Sequence, residues 1–426
     1  MIKSRNTLRD IVVFEKISEY YGRVKVCKMI IREAYLRQIR PFYDSDLIKI
    51  ITGIRRCGKS IVLSQIRDEL SQRNDNIIFL NFEDKETESR FPTWKHLLDY
   101  VEETRKEGLC YVFLDEIQAV EEWAEAVKTL RVRNCSVFIT GSNSKLLSGE
   151  FTDHLSGRYV SFRIYPFVYR ELKEYAAELN YPLSTTDYLV WGGFPKRIEF
   201  QDTDAQKAYL RDLKETIVFR DIIIRKRINK PDEFRKLVDY VLITNARTFS
   251  VSSITEYMCR NGSKVTDKTI KKWMDYLEEA YLISHLSRYS TKAKRALDYY
   301  YKVYDADVAF SSLEVFDNRY DLSHNLENII FNELTYMGYH VSVFITGKGR
   351  EIDFIAEKDG KKYFIQVALS VAEEKAWQRE MRPFEELSQV DRKILITTDT
   401  IDYSTSNVLH LSTDRFLTLD SLAEVQ

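Results

Sequence analysis

Glycine, proline and cysteine are scarce in this chain: 14 Gly, 7 Pro and 5 Cys among 426 residues. That scarcity excludes collagen-like and Pro/Gly low-complexity sequences and argues for packed, ordered domains. The cysteines, Cys27, Cys57, Cys110, Cys135 and Cys259, are odd in number, widely spaced and form no C-x-x-C pair. They fit neither a disulfide framework nor a zinc site, and the expected compartment is a reducing cytoplasm. A surplus of one charge is also missing, with 64 basic against 65 acidic side chains, so attraction to a nucleic acid or a membrane has to come from a local patch. No apolar run approaches the roughly 20 residues that span a bilayer, and MIKSRNTLRD at the start lacks the apolar centre of a signal peptide. A soluble protein without a membrane partner is expected. The six histidines are scattered without metal-ligand spacing.

What is present is 44% hydrophobic and 30% charged residues, over a length that suggests two or three domains at roughly 150 residues each. Between residues 47 and 167 short apolar runs alternate with amphipathic helical stretches: LIKIITG, NIIFLNF, CYVFLDE, CSVFITG and RYVSFRIYPF. This is the pattern of a parallel sheet covered by helices. Residues 168–245 read as helical, including a long stretch from Ala205 to Ile223. Two helices and a hairpin are predicted between Thr248 and Asp307, and a second α/β block begins near Leu322.

The strand IKIIT runs into Gly53-Ile54-Arg55-Arg56-Cys57-Gly58-Lys59-Ser60 and then into the helical IVLSQIRDEL, which completes G-x-x-x-x-G-K-[ST] in strand, loop and helix context. The two glycines let the backbone wrap an anion, and residues 53–61, ending with Ile61 in the helix, present N–H groups to a phosphate. Lys59 is expected to reach the β- and γ-phosphates of ATP, and the Ser60 hydroxyl to coordinate Mg²⁺. The apolar YVFL ends in Asp115 and Glu116, which supplies a second Mg²⁺ ligand at Asp115 and a candidate base, Glu116, to orient the attacking water. Just past CSVFITG come Ser142 and Asn143; Asn143 or Ser142 is the expected γ-phosphate sensor, because open parallel sheets gather their chemistry at the C-terminal strand ends. Arg158, at the start of the fifth run, is a candidate arginine finger across a subunit boundary, which would require a homo-oligomer.

In the words GIRRCGKS, FLNFED, VFLDEIQ, ITGSNSKLL, LSGRYVSFRIYPF, GGFP, YYKVYDADVAF, LENIIFNEL, EIDFIA and YFIQV, taken in order, the chain resembles the bacterial and archaeal AAA-type ATP-binding proteins that carry a restriction-endonuclease-like C-terminal domain. The resemblance spans nearly the whole chain. It implies an α/β P-loop NTPase core with five parallel strands, followed by a helical lid, a winged helix and a small α/β nuclease-like domain. The expected boundaries are 1–46 for an N-terminal extension, 47–167 for the core, 168–245 for the lid, 246–315 for the winged helix and 316–426 for the last domain. In nuclease-like domains of this kind a helix glutamate, a strand aspartate and an (E/Q)-x-K gather around Mg²⁺. The matching positions here are Glu327, Asp353 and Gln366, with Ala368 where the lysine belongs. Alanine neither positions water nor stabilises charge. Unless Lys361, Lys362 or Lys375 reaches in, the domain is expected to be a structural or nucleic-acid-docking remnant rather than a nuclease.

Between residues 220 and 300 there are 17 Lys and Arg against 10 Asp and Glu, while the rest of the chain is net acidic. Ser253-Ile-Thr-Glu256 is expected to form a capping box, and the helix in TDKTIKKWMDYLEEAYL turns Ile270, Trp273, Met274, Leu277 and Tyr281 to one face. Lys268, Lys271 and Lys272 lie off that stripe near the helix start, and Lys292, Lys294 and Arg295 at or near a hairpin tip. These six are the expected phosphate contacts to duplex DNA. The combined expectation is an ATPase using ATP and Mg²⁺ to act on DNA or a protein partner. Two alternatives stand beside it: an ATP-gated DNA nuclease, which Ala368 disfavours, and a nucleotide-dependent scaffold with little turnover, which Glu116 disfavours.

Overall fold

The five apolar runs form strands β1 (Ile48–Thr52), β2 (Ile77–Asn81), β3 (Cys110–Asp115), β4 (Cys135–Gly141) and β5 (Tyr159–Arg163) of one sheet in a computed structural model. It describes residues 29–141, 157–289 and 301–425, except 316 and 318. All five strands are parallel, in the order β2-β3-β4-β1-β5. Every residue of β1, β3 and β4 is buried, as a sheet covered on both faces requires. Helices α1 (Glu33–Ile39) and α2 (Lys59–Ser71) cover one face with Leu36, Ile39, Leu63 and Ile66. Helices Trp94–Thr104 and Trp123–Val132 cover the other with Leu97, Val101, Val127 and Leu130. Because β1 lies between β4 and β5, the loop that leaves β1 emerges beside the ends of β4 and β3, and three strand ends surround one point.

The helical region contains α3 (Tyr169–Leu179), α4 (Thr203–Thr216) and α5 (Pro231–Ile243). The stretch from Ala205 to Ile223 is helical as expected, but α4 widens into a π-helical segment, Ile217–Ile224, which turns Ile217, Val218, Asp221 and Ile222 inward. The GGFP turn is a joint. A Cβ on Gly192 would lie 1.6 Å from Asp307 Oδ1, and one on Gly193 would lie 1.8 Å from Phe167 O. Asp307 accepts from the Gly193 N–H at 2.8 Å and the Ala309 N–H at 2.9 Å, so this turn fastens the helical region to the next module.

That middle module comprises β6 (Thr248–Phe249), α6 (Val251–Arg260), α7 (Asp267–Glu279), β7 (Ile283–Leu286) and β8 (Tyr301–Asp305), with an antiparallel sheet ordered β6-β8-β7. Ser250, not Ser253, caps α6: its hydroxyl accepts from the Ser253 N–H at 3.2 Å, while Glu256 pairs with Arg260. The expected capping box does not form; the cap lies one turn earlier, because the extended backbone that a cap requires is found at Ser250. On α7 the residues Ile270, Trp273 and Leu277 are buried, whereas Tyr281 lies past the helix end with φ 57°.

The last block begins with α8 (Leu322–Tyr336) and contains β9 (His340–Ile345), β10 (Glu351–Lys358), β11 (Lys361–Val367), β12 (Arg392–Thr397) and β13 (Val408–Ser412). Their order is β13-β12-β11-β10-β9, antiparallel from β9 to β11 and parallel from β11 to β13. The middle and last sheets meet edge to edge: the Tyr289 N–H donates to Val343 O at 2.7 Å, and the Val343 N–H to Ser287 O at 3.1 Å. Among the described residues no helix is long and apolar enough to cross a membrane.

Candidate functional site

Gly53 leaves β1 with φ 141°, and a Cβ there would lie 2.2 Å from Ile164 O, which only glycine avoids. Arg56 (φ 66°) and Gly58 (φ 100°) turn the chain back into α2. Gly58 is the N-cap of α2 and supplies no side-chain cap, unlike Asp202, Ser250 and Thr266, which cap α4, α6 and α7. The first N–H groups of α2 are thus left for an anion, the condition a phosphate-binding helix end has to meet. Lys59 is buried and folded back, its Nζ 3.1 Å from both Gly53 O and Ile54 O. A phosphate is a stronger acceptor than either carbonyl. Within the loop Ile54 and Cys57 are fully packed in the core, which explains the small apolar thiol, while Ile61 is exposed on the outer side of α2.

Asp115 ends β3, which β4 separates from β1. The Thr140 hydroxyl on β4 donates to Asp115 Oδ1 and accepts from the Glu116 N–H at 2.9 Å, so one hydroxyl sets both acids. Burial pushes the Asp115 carboxyl up, and hydrogen bonds from Thr140 and from Ser60 pull it back toward ionisation. Ser60 of the loop therefore lies near enough to Asp115 of the strand to act on its charge. Glu116 is half-buried with left-handed φ 54°, a strained conformation of the kind that persists where the surroundings fix it, and it accepts from the Gln118 amide. Thr140 was not legible as a site residue, since a threonine in an apolar strand is ordinary β composition; only its register with Asp115 shows the bond.

Two arginines clamp the loop from outside the sheet. Arg55 Nε donates to Asp221 Oδ2 of the π-helical segment at 3.0 Å, and its Nη1 lies 3.9 Å from Glu83 Oε1. Arg32, fully buried, donates to Cys57 O at 2.9 Å and Tyr165 O at 3.0 Å, and grips Glu171 of α3 at 2.8 and 2.7 Å. Residues 1–46 are the expected N-terminal extension, and Arg32 within them holds the loop's own backbone. No motif marks Arg32, Glu171 or Asp221.

Arg158 is exposed at the N-terminal end of β5, where its carbonyl accepts from the Ile48 N–H at 3.1 Å. That is the opposite end of the sheet from the loop, about 16 Å away along the strand, so it does not serve its own chain's loop. Ser142, Asn143, Lys292, Lys294 and Arg295 lie outside the described residues.

Lys268 and Lys272 share a cleft of about 340 Å³ with Lys226, Arg227 and Lys230. Lys271 instead lines a separate groove with Asp275 and Glu278. The expected trio is split because residues 268 and 272 are one helical turn apart and 271 is not on their face.

Glu327 on α8 and Asp353 on β10 do converge, but around a lysine. Lys302 Nζ, from β8, is 2.5 Å from Glu327 Oε1, 2.8 Å from Glu351 Oε1 and 3.6 Å from Asp353 Oδ1. Gln366 sits across from Asp353, one residue beyond the Phe354–Ile365 pair, and its amide donates to Glu380 at 2.9 Å. Ala368 packs with Ile352, Val371 and Leu395 in an apolar cluster. Lys362 is engaged by Tyr289 at 2.6 Å and Glu357 at 2.9 Å rather than by these acids. Lys302 was missed because it lies in a different module; its one signal is a lone lysine in an aromatic-rich strand.

A parallel five-stranded sheet with this loop leaving the inner strand β1 and two acids at the end of β3, on the far side of β4, defines an AAA-type P-loop protein, and residues 45–173 match a family model described as an AAA domain. Residues 183–314 and 323–414 match two further models, each described as a domain of unknown function. The chain belongs to the same family as an uncharacterized protein of Haemophilus influenzae, to which it is 34% identical over 358 residues, covering 81% of this chain and 88% of the relative. Uncharacterized protein MJ1544 of Methanocaldococcus jannaschii is 29% identical over 426 residues, with 92% and 90% covered. Among solved structures the chain is similar to the Walker-type ATPase PABY2304 of Pyrococcus abyssi, at 16% identity and TM-score 0.47, covering 70% of this chain and 99% of that one. AMPPCP-bound DnaA from Aquifex aeolicus is also similar, at 16% identity and TM-score 0.29, covering 58% and 88%.

Proposed function

We propose that the chain binds and hydrolyses ATP at residues 53–61 and passes the change of nucleotide state to its helical region and middle module. The observation that carries this is the single Thr140 hydroxyl that bonds both Asp115 and Glu116 beside the open N-terminus of α2, with Ser60 near enough to Asp115 to act on its charge. Lys59 would leave the carbonyls of Gly53 and Ile54 for the β- and γ-phosphates. Ser60 and Asp115 would hold Mg²⁺, which neutralises phosphate charge when bound. Glu116 would orient the attacking water, with Asn143 or Ser142 sensing the γ-phosphate. Arg158, facing away from its own loop, is suited only to the site of a neighbouring copy in a homo-oligomer. Movement of the loop on binding would pull on Arg55 and Arg32, and through them on Asp221 and Glu171.

Binding and turnover separate these roles. Lys59→Ala is expected to lose both nucleotide binding and hydrolysis, whereas Glu116→Gln is expected to retain ATP without hydrolysing it. Equal loss of binding in the two variants would reject the assignment.

A second reading concerns DNA and rests on the basic cleft. Lys226, Arg227, Lys230, Lys268 and Lys272 surround one depression at the start of α7, which suits a duplex phosphate backbone read by a winged-helix-like module, with Lys292, Lys294 and Arg295 extending it. Affinity for duplex DNA should fall steeply with salt. Lys268→Glu with Lys272→Glu should weaken it, and Lys271→Glu should matter less; undiminished binding by the double variant would remove this reading.

A further inference from the structure

Lys302 belongs to the central strand of the middle sheet, yet its ammonium ends among the acids of the last block. The strand is stitched there by more than charge. The Tyr304 hydroxyl donates to Glu327 Oε1 at 2.7 Å, and the Tyr304 ring stacks on Phe331 with centroids 4.4 Å apart. The Asp305 N–H donates to Asn328 Oδ1 at 2.7 Å, and Asn328 Nδ2 returns a bond to Asp305 O at 2.9 Å. Lys302 and Asp353 are only 6% and 7% exposed. Glu327 and Asp353, largely buried, converge there with the more exposed Glu351, and burying such acids unpaired is strongly unfavourable, so they call for a cation.

Carboxylates and a glutamine carbonyl are the donor set of a hard divalent ion. The arrangement does not fit one while the lysine is in place. Asp353 Oδ2 accepts from the Val367 N–H at 2.8 Å and Gln366 Nε2 donates to Glu380, which leaves Gln366 Oε1 buried without a partner, but the Lys302 ammonium is already within contact distance of all three acids and fills the place an ion would take. Among the described residues no group of three or more His, Cys, Asp or Glu is disposed to hold a metal. Burial by itself would lower the Lys302 pKa, but Asp353, Glu327 and Glu351 together raise it above the ordinary lysine value, which keeps the ammonium charged.

We propose that the centre formed by Glu327, Glu351 and Asp353 is a masked divalent-cation site whose resident cation is the Lys302 ammonium, locking the middle sheet onto the last block. Divalent ions enter only when β8 withdraws or the lysine is removed. A cavity of about 340 Å³ lined by Arg288, Lys302 and Glu351 gives solution ions a way to reach it.

The test titrates the nucleotide-free full-length chain with MnCl₂ and reads thermal unfolding together with bound Mn²⁺ by electron paramagnetic resonance. Wild type should bind no more Mn²⁺ than Asp353→Asn does. Lys302→Met should unfold at lower temperature without metal, and should then gain one bound Mn²⁺ and recover several degrees; adding Glu327→Gln should abolish both gains. Wild-type Mn²⁺ binding that depends on Asp353 overturns the proposal, as does a folded Lys302→Met that gains no Mn²⁺. Should Lys302→Met fail to fold, Lys302→Arg and Glu351→Gln decide. The arginine variant should stay folded and blind to Mn²⁺, and Glu351→Gln should lower the unfolding temperature; Mn²⁺ uptake by the former, or an unchanged unfolding temperature in the latter, counts against the lock.

Discussion

Two buried lysines, Lys59 and Lys302, are 5% and 6% exposed and sit in opposite electrostatic company. Lys59 rests on two neutral backbone carbonyls, whereas Lys302 is surrounded by three carboxylates. An ammonium held only by dipoles is under-compensated and gains from meeting an anion; one among carboxylates is already satisfied. The acids differ in the same sense. Asp115 is bonded by the Thr140 hydroxyl and lies near Ser60, which leave its charge to be met by an incoming cation, while burial and the Glu327 charge push Asp353 up and Lys302 beside it pulls it back toward ionisation. The first centre is therefore open to ligand on both signs of charge, and the second is closed by its own chain.

The sharpest way to break the contrast is Lys59→Met. Removing a group that awaits a ligand should cost turnover about a thousandfold, roughly 4 kcal/mol of transition-state stabilisation, and leave the unfolding temperature without nucleotide nearly unchanged. If steady-state ATPase measurements show the loss but the apoprotein is destabilised as much as Lys302→Met is, the two lysines do not differ as described.

Arg32 tests whether the open centre depends on closed ion pairs around it. Arg32→Met strands Glu171, whose side chain is 9% exposed, and takes a donor from Cys57 O. Breaking a buried pair by deleting one partner costs about 3 kcal/mol or more, read as a shift of the urea midpoint. Arg32→Met together with Glu171→Leu should recover part of that loss; no recovery would mean the carbonyl contacts, not the ion pair, carry the stability.

The contrast between the centres also explains what could be read from the sequence. The loop from Gly53 to Ser60 is contiguous, and each of its residue types is needed locally, so it is legible without a fold. Asp115 and Glu116 are legible because an apolar strand ends on them. Arg32 meets Glu171 across 139 positions and Arg55 meets Asp221 across 166, and no periodicity links such pairs. Lys302 is the strongest case: the last block lacks a lysine at Ala368, and the cation comes from another sheet 25 residues before Glu327. The π-helical turn in Ile217–Ile224 was hidden for a simpler reason, since a run of isoleucines carries no phase that distinguishes a wider turn from an ordinary one.

A third buried lysine sharpens the comparison through pH. Lys49 in β1 is fully buried, with Nζ 2.7 Å from Ser136 Oγ and 3.1 Å from Ser45 O, and burial lowers its pKa to about 7 against the pull of Asp44 and Asp46. The unfolded chain keeps an ordinary lysine near about 10.4. Between about pH 7 and about pH 10.4 the unfolded state thus binds more protons than the folded one, so this group makes stability rise with pH across that window and stay level below it. Lys49→Met should remove the rise and stabilise the protein by about 1–2 kcal/mol near pH 6.5, with the advantage shrinking at pH 9.5. Urea midpoints at the two values check it; a variant that is less stable at both would mean the bonds to Ser136 and Ser45 outweigh burial.

The smallest expected effect falls on Thr140, and it asks how much of the open centre is set by position rather than charge. Its hydroxyl bonds Asp115 and receives the Glu116 N–H, but it bears no charge and need not touch the nucleotide. Thr140→Val keeps the shape and deletes both bonds, worth about 1 kcal/mol together, so the Mg²⁺ concentration for half-maximal hydrolysis should rise about fivefold while ATP affinity without Mg²⁺ stays the same. Thr140→Ser restores the hydroxyl and should restore the Mg²⁺ dependence. If valine and serine behave alike, packing at the end of β4 is what matters and the hydroxyl does not set the acids. If ATP affinity without Mg²⁺ falls with valine, Thr140 acts on the loop and not through Asp115, and the separation of the two charges in this centre is not the one drawn from the geometry.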